Sequence, residues 1–192
     1  MRYPAGHKRE TNERILRAAG RLFRRQGYAA TGVDTVMASA GLTAGAFYSH
    51  FHSKEDLLAE TLDTVFREAR NDRPKRLSQL RGREWIRAFA AFYLSKKHRD
   101  TPDRGCPVAA LAGEVGRIGG KSRAVMGRNL RRMFDTVGQQ FDAASPDRRR
   151  AITTVSLCLG GLMLARAVNG SRLSEEILRT CRETVMEDSQ RP

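Results

Sequence analysis

A chain of 192 residues is long enough to bury a core, and 40% hydrophobic with 29% charged residues describes a folded protein rather than a disordered one. The formal net charge is +14, of which residues 1–60 hold only +3, residues 61–150 hold +11 and residues 151–192 none; the charge favours a polyanionic partner without locating the contact. Three widely spaced cysteines, Cys106, Cys158 and Cys181, argue against a disulfide framework or a zinc finger.

Strand-like alternation is missing, so helices are expected throughout and the fold class is all-α. The first pattern covers residues 11–26, with Ile15, Ala18, Ala19, Leu22 and Phe23 on one stripe and Gly27 as a C-terminal stop. A short pattern over residues 31–40 follows, with Thr31 as N-cap and Asp34 three residues on. Gly41 supplies a turn, and residues 44–51 form a third short helix. Ser53 with Asp56 caps a long helix through Leu57, Leu58, Leu62 and Phe66. Trp85, Phe89, Phe92 and Tyr93 lie on one further helix, and residues 99–105 read as a loop. Cys106-Pro107 opens a helix ending near Gly116, and Gly119-Gly120 breaks the chain. Helices are then expected over residues 122–141, 152–168 and 173–186. The sum is about nine helices, divided into residues 1–53 and 54–192. The apolar run 151–168 contains Arg166, Thr, Ser and Gly, and falls short of the ~20 strongly apolar residues of a membrane span. The N-terminus has no apolar secretory region, so a cytoplasmic location is expected.

Helix, Gly41 turn and helix make a helix-turn-helix. Val36, Ala40, Phe47 and Phe51 can pack on Ile15 and Leu22, leaving Thr43, Ala44, Gly45, Tyr48, Ser49 and His50 on the outer side. Small and hydrogen-bonding groups of this kind suit close approach in a major groove. The combination of Gly41, Thr43, Phe47-Tyr48, His50-Phe51 and Ser53-Lys54-Glu55, preceded by residues 15–28, resembles the N-terminal signature of the TetR/AcrR family of bacterial repressors. The resemblance covers about residues 11–60. It implies an all-α homodimer on double-stranded operator DNA, with a C-terminal effector and dimer domain. By position it implies phosphate contacts from Thr31, Tyr48, His50 and Lys54, and places Thr43, Ala44, Gly45 and Ala46 nearest the bases. Ala44 stands where many members carry Lys or Arg, so a bidentate guanine contact is unavailable there. Arg2, Lys8 and Arg9 form a basic arm that either reaches phosphates or a minor groove, or is a solvated terminus.

In the C-terminal half, residues 152–168 are apolar nearly all round and need cover on more than one side. With residues 173–186 they resemble the family's paired dimer helices, giving a two-fold contact across about residues 150–187. Trp85, Phe89, Phe92, Tyr93, Met126, Leu130, Met133 and Phe134 either line an effector pocket, as the family implies, or are plain core. Cys106 precedes a helix-opening proline, where helix-end amides stabilise a thiolate. Residues 105–114 resemble a stretch of an electrophile-sensing subgroup, so Cys106 is either a sensor of a small electrophile or a structural cap.

No enzyme motif survives inspection. Gly119-Gly120-Lys121-Ser122 resembles the end of a P-loop, but Val115 stands where the first glycine belongs and no strand precedes it. His50 and His52 are two apart and share no helix face, so no metal is expected, and no cofactor. The rival to a transcriptional regulator is a helical protein-interaction module.

Overall fold

The computed structural model describes residues 5–71 and 75–190. Every regular element among them is helical: α1 (Ala5–Gln26), α2 (Val33–Ser39), α3 (Lys54–Asn71), α4 (Lys75–Gln79), α5 (Gly82–Tyr93), α6 (Lys96–Asp100), α7 (Pro107–Ile118), α8 (Gly120–Phe141), α9 (Arg148–Ala167) and α10 (Arg172–Asp188). Two 3-10 turns, Ala44–Ser49 and Pro102–Arg104, complete the set.

The all-α expectation holds, and the differences are local. α1 begins before residue 11, so Lys8 and Arg9 are exposed helical residues rather than an extended arm, while Arg2 lies outside the described residues. The stretch 99–105 is not a plain loop. Ser95 accepts the His98 N–H at 3.1 Å and caps α6, and a 3-10 turn follows. The third short helix is 3-10 rather than α, as its bond from the Ala46 N–H to the Thr43 carbonyl shows. Six residues containing Gly45 give little α-helical drive, and 3-10 geometry suits such short pieces.

The packing divides into two compact units. One unit is Met1–Asn71 with Cys106–Met126; the other is Asp72–Gly105 with Gly127–Pro192. In the first, the α1 stripe buries Ile15, Ala18, Ala19 and Phe23, with Leu57, Leu58 and Leu62 of α3 and Leu111 and Val115 of α7 among its other core residues. α1 packs against α2, α3 and α7. A Cβ at Gly20 would stand 2.9 Å from Val65, so glycine permits the close α1–α3 crossing.

In the second unit α9 and α10 pair, and α5 packs against both. Ile86, Leu94, Val155, Cys158, Leu162 and Leu178 are buried. Gly161 makes the helix pair possible: a Cβ there would meet Cys181 Sγ at 2.8 Å. Gly160, grouped with it in the sequence, faces open space. Among the described residues α9 alone has the length and apolar composition of a membrane span, which the sequence reading denied it. Here its apolar surface packs in part on α10 and α5 and leaves Ile152, Met163 and Leu164 exposed.

Candidate nucleic-acid interface

The interface is built from the turn outward. α2 ends at Ala40, and Gly41 follows with φ +69°, a conformation that favours glycine. The Gly41 N–H donates to Ala38 and the Leu42 N–H to Met37, both at 2.9 Å. Arg14 of α1 donates to the Ala40 carbonyl at 2.5 Å and so holds the exit of α2. Phe47 and Phe51 are buried side by side with ring centroids 5.6 Å apart, anchoring the 3-10 turn to the core.

Those anchors leave Thr43, Ala44, Gly45 and Tyr48 on the outside. Tyr48 is 77% exposed, its ring set edge-on to Phe47 at 5.2 Å. A Cβ at Gly45 would meet nothing. Ala46 and His50 are half-buried. Burial, then nearby Lys8, holds the His50 imidazole below its usual pKa.

Thr31 faces the interior. It is fully buried and its hydroxyl donates to the Gly27 carbonyl at 2.6 Å, so its side chain is not available to a phosphate in this conformation. Nor is it the cap of α2, which is Gly32. The expected cap of α3 is present: Ser53 Oγ accepts the Asp56 N–H at 3.0 Å. Lys54, next in the chain, sets its ammonium 4.2 Å from the Tyr28 ring centroid. The Asp56 carboxyl is held below the usual range by its hydrogen bonds to Lys121 and Ser53.

Three participants escaped the sequence: Arg14, Glu114 and Lys121. Glu114 accepts the N–H groups of Tyr28 and Ala29, and the Lys121 N–H donates to Glu55. Their partners lie 26 to 86 residues away, beyond any local pattern.

The expected effector residues fall in both units. Met126 is in the first unit and the others are in the second. Trp85 and Tyr93 are buried, and Phe89 bridges them with centroid distances of 5.0 and 5.4 Å. Leu130, Met133 and Phe134 are half-buried. A groove of about 660 Å³ runs along α4 and α5, lined by Leu77, Leu80, Glu84, Arg87, Ala88, Ala91 and Phe92, and shares only Phe92 with the expected set. Cys106 is the N-cap of α7 before Pro107, as expected, and is half-buried.

Fold and geometry together define an all-helical chain with an N-terminal helix-turn-helix. A family model described as "Bacterial regulatory proteins, tetR family" matches residues 15–61. The family resemblance is thus carried by residues 15–61, about a quarter of the chain. The chain is 47% identical over 49 residues to the uncharacterized HTH-type transcriptional regulator YerO of Bacillus subtilis, a match covering 26% of this chain and 17% of YerO. The matched stretch thus spans about a sixth of that relative. The whole fold is similar to that of a TetR-family regulator from Cytophaga hutchinsonii, with TM-score 0.79 at 16% identity over 94% of this chain and 96% of that one. It is similar also to reduced NemR of E. coli, with TM-score 0.76 at 21% identity over 92% and 95%.

Proposed function

We propose that this chain is a cytoplasmic homodimeric repressor that binds double-stranded operator DNA through its helix-turn-helix and leaves it on binding a small effector. The observation that carries the reading is the exposed row Thr43, Ala44, Gly45 and Tyr48, held rigidly by buried Phe47 and Phe51 beyond the Gly41 turn. Small side chains allow the backbone to come close to base edges, and apolar contact with thymine methyls replaces the missing long cation. Tyr48, His50 and Lys54 flank the row as phosphate contacts, with Ala46 behind it. The dimer forms through α9 and α10, whose exposed Ile152, Met163, Leu164 and Leu173 support a second apolar contact.

The effector is a small apolar or electrophilic molecule. Cys106, half-buried at the start of α7, is the residue for the electrophilic case. Replacing Cys106 with Ser should abolish release of DNA by an alkylating agent; unchanged release assigns the cysteine a structural role.

The test of the main reading is enrichment of duplexes from a randomised pool by the full chain, followed by gel shift at rising salt. A sequence-specific regulator keeps its preference for the enriched duplex as salt rises. A chain that enriches nothing is a helical interaction module instead.

A further inference from the structure

We propose that Glu114 is a positioning residue for DNA binding, acting through the turn that ends α1. The proposal rests on the DNA-binding reading above. Gly27 stops α1 with φ +87°, and the chain then turns through Tyr28 and Ala29. One carboxylate accepts both of their N–H groups: Glu114 Oε2 takes Tyr28 at 2.9 Å and Oε1 takes Ala29 at 2.7 Å. Charge-assisted bonds of this kind are stronger than neutral ones, and two of them fix the turn's orientation as well as its position. The carboxylate also fills the space beside Gly27, where a Cβ would lie 3.1 Å from Oε2.

What the turn carries matters for DNA. The Tyr28 ring packs on Phe23 at 5.5 Å and seats the Lys54 ammonium on its face. Glu55 and Asp56, which follow Lys54, are held from the same α7–α8 corner. The Lys121 N–H donates to Glu55 Oε1 at 2.9 Å, and its ammonium pairs with Asp56 at 2.5 Å. A Cβ at Gly120 would collide with Glu55, so glycine is required there as well. Lys54 is therefore fixed on one side by a ring anchored through Glu114. On the other side its neighbours are anchored on Gly120 and Lys121. The core of this unit is built from buried apolar side chains such as Ile15, Phe23, Leu58 and Leu111, so loss of these polar bonds should free the turn while the helices persist.

The probe is the duplex enriched by the full native chain, bound to native, Glu114→Gln and Glu114→Ala proteins. Glu114→Ala should bind roughly tenfold more weakly, the order expected for losing a charge-assisted hydrogen bond. Its log–log salt slope should be shallower by about one, because Lys54 no longer meets its phosphate. Glu114→Gln, which keeps one carbonyl acceptor, should fall between. In the DNA-free protein, amide exchange should accelerate at Tyr28 and Ala29 but not within α3. Native affinity and slope in both variants overturn the proposal. So does weaker binding that matches a loss of folded protein with an unchanged slope, since that marks a purely structural role. A native chain that enriches no duplex overturns the DNA-binding reading and this proposal with it, whereas faster exchange without weaker binding overturns this proposal alone.

Discussion

A methyl group, Ala44, stands first on the exposed 3-10 turn, at the position where the TetR/AcrR resemblance leads one to expect a long cation. A methyl cannot donate to guanine, but it offers apolar contact to thymine. Ala44→Lys should therefore move the enriched duplex toward guanine at one position per half-site, with about 1–3 kcal/mol of new discrimination. Sequencing the pools enriched by the two proteins measures it, and identical preferences would mean the turn does not reach the base edges. Single residues at this interface were legible where local geometry dictates them. Gly41 needs positive φ, and Ser53 caps α3. Thr31 was not legible, because its burial depends on where α1 ends and its hydroxyl turns back to Gly27.

At the scale of the elements, the amphipathic helices could be read because 3.6-residue periodicity reports burial directly. α6 could not: Pro102 and Gly105 after it look like loop punctuation, while its cap, Ser95, sits immediately after an aromatic helix. That short helix carries a buried imidazole. His98 Nδ1 lies 2.8 Å from the Tyr93 carbonyl, which can only accept, so the proton is on Nδ1. Burial, then nearby Arg166, hold its pKa below 6.5, against the opposing pull of the Tyr93 bond. The unfolded chain then binds more protons than the folded one below about pH 6.5, and stability falls as pH falls through that range. His50 is depressed as well and adds in the same direction. His98→Asn keeps an N–H for Tyr93 but cannot be protonated. Urea unfolding between pH 7.5 and 5 should show a flatter acid limb for this variant than for the native chain, and parallel limbs would remove His98 as the cause.

At the scale of the whole molecule, the outstanding feature is an apolar helix with one side uncovered. α9 uses Val155, Cys158, Leu162 and Ala165 inward and leaves Ile152, Met163 and Leu164 outward, with Met163 46% and Leu164 61% exposed. Ile152, Ser156, Gly160 and Met163 follow one another at helical spacing, and nothing would meet a Cβ at Gly160, so another helix can approach closely there. A second copy of the same surface is the simplest cover, because an isologous contact needs only self-complementarity. A lysine in the middle of that contact would be buried without a partner, which costs several kcal/mol per protomer. Met163→Lys should therefore sediment at 21.5 kDa while the native chain sediments at twice that mass. Because the substituted side chain is half-exposed in a single chain, helicity and the unfolding midpoint should change little. Loss of the second half-site should weaken binding to the enriched duplex by roughly a hundredfold or more. A native chain that sediments as a monomer would remove the dimer from the proposal. A Met163→Lys protein that stays dimeric would move the contact off α9.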